Sequence, residues 1–248
     1  PLQMHGATVP VVASGTVTAF ARGFKGGIGY DSLTRTVDVV LYQQPVYDYA
    51  NNLDAVAGAD DFQLDGLGWA VPSGFGNGAL HSPHGYANNA SYAATLGVPI
   101  RVSSLSTLSF DEIAIVEPGE PGSVYGDADF WDYCVIEGSN DGLHWTALTP
   151  GWDCRDDNAW LTAWNASGSG TPSMYRTRTI TLNDTFAQGD VVLLRWRMFA
   201  DGYVTGWGWA IDNVNVVSSG LTPAVDVPMP VSLAQNRPNP FNPKTSIA

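Results

Sequence analysis

The chain has 248 residues, 14% of them charged, with 24 Asp and Glu against 11 Lys and Arg and a formal net charge of −13. Such a surface repels a phosphate backbone, which excludes nucleic acid as a partner, and no run of 18 apolar residues is present to form a membrane span. The length suits one sandwich-sized domain with appendages, and 27 Gly, 16 Pro and 9 Trp, with little apolar spacing of helical period, predict an all-β protein.

Residues 1–57 form the first expected region, with β-like runs at 16–20 and 34–42 around a glycine-rich break at 22–32. Pattern leaves open whether these strands are a small domain or an addition to the main one, and exposed strands of this kind can pair with a neighbouring copy. The opening PLQMHG lacks the charged and apolar regions of a signal peptide, so a processed chain or an internal piece of a longer precursor is expected.

From residue 58 to 218 short apolar segments alternate with turn residues, as in a two-sheet antiparallel sandwich. Segment 105–122 alternates through Leu108, Phe110, Ile113 and Ile115 and stops at Pro118-Gly119. The stretch 129–148 predicts a hairpin turning at Ser139-Asn140-Asp141-Gly142. A short helix is expected within 151–170, with Asp156 or Asp157 as N-cap and Trp160 and Trp164 one turn apart. The runs 190–202 and 204–217 read as a core hairpin. Val192, Leu194, Trp196 and Met198 share one face of its first strand, and Ala210, Asp212, Val214 and Val216 share one row of its second. Residues 219–230 are a Pro-rich linker.

Two stretches resemble known families. PNPFNPKTSI (238–247), within the expected unit 231–248, is similar to the start of the C-terminal sorting domain of type IX secretion. That resemblance implies secretion or display at the surface of a Gram-negative bacterium. Residues 60–217 resemble MAM-like and immune-inhibitor-A-like bacterial jelly rolls. The matching residues are Asp61-Phe62, Gly68-Trp69, GALHSP (78–83), YCVIEGSNDGLHW (133–145), LLRWRMFADG (193–202) and the ending GWGWAIDNVNV (206–216). The resemblance implies a non-catalytic jelly-roll sandwich, often with a structural calcium near the acidic first strand and the last-strand aspartate.

Asp212, a carboxylate in an apolar row, needs a cation or hydrogen-bond donors. With Asp60 or Asp61, and Asp127 or Asp129, it makes a candidate calcium site, since calcium accepts six to eight oxygens from loops; the alternative is that Asp212 accepts backbone or indole N–H bonds. Trp152, Trp160 and Trp164, interleaved with Asp156 and Asp157, could form a sugar-binding platform or simply cover the sandwich edge. Cys134 and Cys154 are either a disulfide or two buried thiols.

Catalysis finds little support. The nearest carboxylates, Glu117 and Glu120, flank Pro118-Gly119 rather than sharing a strand face, and no G-x-S-x-G or H-E-x-x-H occurs. The pair in HSPH (81–84) reads as a turn at a strand edge rather than a zinc site. The expected function is a secreted module for adhesion or for binding a glycan or surface protein. The alternatives are a self-assembling subunit of an extracellular filament and an accessory domain of a larger hydrolase.

Overall fold

The structure, a computed structural model, describes the backbone of residues 15–25, 28–39 and 42–219 and the side chains of 42–218. Strands β1 (Gly15–Lys25) and β2 (Ile28–Val39) form an antiparallel hairpin, and each pairs only with the other among the described residues. Every later strand belongs to one of two six-stranded antiparallel sheets.

The first sheet runs in the order β11 (Thr146–Ala147), β10 (Tyr133–Ser139), β13 (Val191–Ala200), β7 (Ala90–Leu96), β4 (Phe62–Asp65), with β8 (Ile100–Arg101) also on β13. The second runs β12 (Arg176–Thr181), β9 (Leu105–Ile115), β14 (Gly208–Ser219), β6 (Ala79–His81), β5 (Gly68–Ala70), with β3 (Tyr49–Asn51) on β14. From β8 onward the chain repeatedly changes sheet, which is the expected jelly-roll sandwich. Since β3 pairs with β14 and Val46 bridges Ile100, the sandwich takes in residues before the expected boundary at 57/58. The expected linker and sorting segment (219–230 and 231–248) lie outside the described residues but for the backbone of Ser219.

Period-two alternation places Leu194, Trp196 and Met198 of β13 in the interior, all with zero exposure. Trp196 joins the layers, meeting Phe62 of its own sheet edge-on and Phe110 of the facing sheet, each with centroids 5.8 Å apart. The hairpin at 129–148 is present as β10–β11, and the helix as α1 (Asn158–Asn165), capped by Asp157, whose carboxylate accepts the Ala159 N–H at 2.7 Å. Beyond Phe110 the alternation on β9 gives way to burial on both faces, 112–116, where α1 packs on the strand.

Three expectations are corrected. The runs 190–202 and 204–217 are not a hairpin: β13 pairs with β10, β7 and β8, and β14 with β9, β6 and β3, so residues 201–207 cross between sheets. Nor do Asp212, Val214 and Val216 share a row. A bulge between Asp212 and Asn215, with Asn213 at φ 50°, reverses the facing: Val216 pairs with inward Leu108, whereas Asp212 pairs with outward Asp111. Cys134 and Cys154 form no disulfide; both are free and fully buried. Thiol titration should therefore find no reactive thiol in the native protein and two after unfolding, with a melting temperature unmoved by reductant; a reductant-sensitive melt would contradict the fold at this point.

Candidate functional site

The expected tryptophan platform separates in the structure. Trp152 (4% exposed) and Trp160 (1%) are core residues. The Arg178 guanidinium lies 3.6 Å over the Trp152 ring, and the Trp160 indole N–H donates to the Met174 carbonyl at 2.9 Å. Asp156 and Asp157 hold arginines: Asp156 accepts from Arg178 at 2.7 Å, and Asp157 from Arg176 at 2.7 Å. These four residues close the sandwich edge. Asp156, Asp157 and Trp160 line a 330 Å³ pocket together with Arg176 and Arg178, whereas Trp164 lines a different cleft.

That cleft, 660 Å³ in volume, opens where the β13–β14 crossover meets the end of α1. Trp164 and Trp207 provide aromatic walls, and Asn165, Ser167, Ser169 and Thr205 provide amide and hydroxyl groups. Gly206 is required here, because a Cβ would lie 2.4 Å from the Ile115 carbonyl oxygen and 2.6 Å from the Trp164 ring.

His84 stacks on Trp207 at 3.9 Å between centroids and forms the far wall. Its Nδ1 lies 2.8 Å from the Trp207 carbonyl oxygen and its Nε2 3.0 Å from His81 Nδ1. A carbonyl only accepts, so the proton sits on His84 Nδ1. His84 Nε2 then accepts from His81 Nδ1–H, leaving His81 Nε2 deprotonated, buried and without a partner. Burial lowers both imidazoles, taking His81 to about 4 with a smaller contribution from His84. Among the described residues no Asp, Glu, Lys or Arg lines the cleft. The HSPH segment thus contributes His84 to the wall of this cleft, which sequence spacing did not reveal.

The expected calcium ligands are not gathered. Asp212 accepts the Asn213 N–H at 2.8 Å, and the carboxylates whose charge bears on it are Asp54 and Asp111. Burial pushes Asp212 up to about 6. Asp61 accepts from the Tyr49 hydroxyl (3.0 Å) and the Asn51 amide (3.3 Å), Asp60 is exposed, Asp127 accepts the Val124 N–H at 2.9 Å within its own loop, and Asp129 is exposed.

Among the described residues, the carboxylates that do converge are Glu117, Asp132 and Asp201, with oxygens all within 4.8 Å of one another. Asp132 has zero exposure; it accepts from the Tyr86 hydroxyl and, at 2.7 Å, from the Asp201 N–H. Glu117 Oε2 is buried and has no hydrogen-bond partner. Burial, reinforced by the charges of Asp132 and Asp201, pushes Glu117 to about 7, and burial pushes Asp132 to about 6. An orphaned carboxylate oxygen among hard oxygen donors fits calcium better than the set expected from sequence. The three come from segments after β9, before β10 and after β13, and spacing along the chain could not have united them.

No protein-family model and no curated protein matches the chain. Solved structures with a similar fold include the K2 cleaved adhesin domain of Lys-gingipain, at 11% identity over 69% of this chain and 99% of that one, TM-score 0.40. Another is the K3 cleaved adhesin domain of Lys-gingipain from Porphyromonas gingivalis W83 (13%, 64% and 91%, TM-score 0.37). A carbohydrate-binding module specific for non-crystalline cellulose, CBM28, is a third (12%, 64% and 87%, TM-score 0.40). These likenesses concern the β-sandwich alone.

The burial of His81 has a measurable consequence. His81 titrates near 4 when folded and 6.5 when free, so between those values the unfolded chain binds the extra proton. Its stabilising contribution is complete above pH 6.5 and falls by on the order of 3 kcal/mol as pH drops to 4. Denaturant titrations across this range should show a shallower pH slope in His81→Gln than in the wild type; equal slopes would remove His81 as the cause.

Proposed function

We propose that the chain is a non-catalytic sandwich module that binds neutral glycans in the Trp164–Trp207 cleft at a bacterial cell surface or in secreted form. One observation carries this reading: in a protein of net charge −13, the described residues that line a 660 Å³ cleft include no acidic or basic side chain other than a neutral imidazole. Indole faces beside uncharged amides and hydroxyls suit a pyranose, whose C–H faces are apolar and whose rim is hydroxylated. A charged ligand would find no counter-charge there. Tyr203, 85% exposed, and Val204, 47% exposed, stand on the same crossover and extend the surface a glycan chain can touch.

Calcium belongs to the same proposal. Held by Glu117, Asp132 and Asp201, it would offset their mutual repulsion and tie down the crossover that starts at Asp201 and supplies Val204, Thr205, Gly206 and Trp207 to the cleft. The MAM-like resemblance and the type IX sorting start are compatible with this use at a surface.

A glycan array with the whole chain in millimolar calcium should show saturable binding that weakens about tenfold in Trp164→Ala, the loss expected for one stacking contact. Chelation should reduce that binding and also lower the melting temperature, since a ligand at a hundred times its Kd stabilises by about 2.7 kcal/mol. Binding indifferent to Trp164 would refute the cleft, and a melt indifferent to chelator would refute the ion.

A second reading, a subunit of a surface assembly, rests on the β1–β2 hairpin. Two strands of 11 and 12 residues pair only with each other among the described residues, and a lone hairpin is marginal in water. Strand addition from a neighbouring copy would complete it. Analytical ultracentrifugation should then show concentration-dependent association that disappears when residues 1–41 are removed; monomers at every concentration would exclude this role.

A further inference from the structure

The outer face of the first sheet carries a cluster of polar side chains. Cross-strand register lays Gln63, Thr95, Arg195 and Glu137 in one row and Asp65, Ala93, Arg197 and Val135 in the next, all opposite in facing to Trp196. β7 contributes the short Ala93 and Thr95 between longer neighbours. The result is a trough of 530 Å³, with Tyr42 and Trp145 among its aromatic boundaries.

Two arginines of this face are held in place by Glu137. Glu137, 6% exposed, accepts from Arg195 Nε at 2.8 Å and from Arg197 Nε at 3.0 Å and Nη2 at 2.9 Å. Arg195 is further fixed 4.0 Å over the Trp145 ring. Arg195 Nη1 nevertheless has no partner among the described residues, and neither do the side chains of Gln63, Asp65 and Thr95. A fixed donor, a carboxylate acceptor, an amide and a hydroxyl therefore face one trough with bonding capacity unspent on any other described residue. The charges of Arg195 and Arg197 are balanced by Glu137 and Asp65, so the trough favours no net ligand charge.

We propose that this trough is a second carbohydrate site, taking a neutral hexopyranose whose neighbouring hydroxyls bridge Asp65 and Arg195 while its ring contacts Trp145. Arg195, already immobilised by Glu137 and Trp145, loses little further entropy on binding. The proposal shares with the preceding section the class of ligand but none of the residues. With both sites filled the module is bivalent, and two weak contacts to one glycan surface gain avidity.

The test is nitrogen-15 NMR of the whole chain titrated separately with methyl β-D-glucopyranoside, methyl β-D-galactopyranoside and methyl α-D-mannopyranoside. At least one sugar should shift the Trp145 indole and the Thr95 amide saturably. Those shifts should persist in Trp164→Ala and weaken about tenfold in Trp145→Ala. Asp65→Asn, an exposed change that leaves the core untouched, should weaken them as well without altering the rest of the spectrum. Absence of trough shifts with all three sugars, or trough shifts that vanish in Trp164→Ala, would overturn the second site. Shifts of Trp164 and Thr205 report separately on the crossover cleft, so either site can fail while the other stands.

Discussion

A buried ion pair sets the geometry of the second sheet and of the loops beside it. Glu112 of β9 has zero exposure, and Arg178 of β12, which pairs across from inward-facing Phe110, reaches it at 2.5 Å. The Trp209 indole on β14 donates to the other carboxylate oxygen at 2.7 Å. Arg178 also stacks on Trp152 and binds Asp156. One carboxylate thus ties β9, β12 and β14 together, and its arginine fastens the segment leading into α1. Burial pushes Glu112 up to about 7 while Arg178 and the indole pull it back. Removing one partner of such a pair strands the other at a cost of about 3–5 kcal/mol, so the arrangement is specified far more tightly than apolar packing alone would specify it.

The position of α1 follows from that anchor, and the position of the cleft follows from α1. Asp157 caps the helix one residue after Asp156 has bound Arg178, and Trp160 then turns inward while Trp164, one turn later, reaches the crossover. At the crossover itself, Gly206 passes close to the Ile115 carbonyl, and the chain re-enters the second sheet at Gly208, at φ 120°. The same turn begins at Asp201, whose N–H binds buried Asp132. Cleft and carboxylate trio are therefore two ends of one loop, so an ion held by the trio would bear directly on the geometry of the cleft.

Particular elements show how far local sequence carries. Alternation in β13 identified its buried face, because Leu194, Trp196 and Met198 must lie two residues apart to share a side. The β10–β11 hairpin and the Asp157 cap were equally legible, since each depends on residues within a few positions of one another. The tryptophan loop was harder: Trp152 and Trp160 have the composition of a sugar platform, but aromatic residues beside aspartates read the same whether an arginine from another strand covers them or not. Arg178 and Arg176 decided that, from about 20 residues away.

The sequence by itself determined an acidic, all-β sandwich with these strand faces, this helix cap and no local catalytic pattern, because alternation, capping and net charge act over short distances or over the whole chain. Only the tertiary structure decided that β13 and β14 belong to opposite sheets, since period two records which side of a strand is buried and not which strand lies beside it. The bulge at Asn213 likewise turned Asp212 away from the row its spacing implied. The carboxylate trio, the histidine pair on Trp207 and the trough between Tyr42 and Trp145 are all meetings of distant segments, and chain spacing holds no information about them until the sheets are paired.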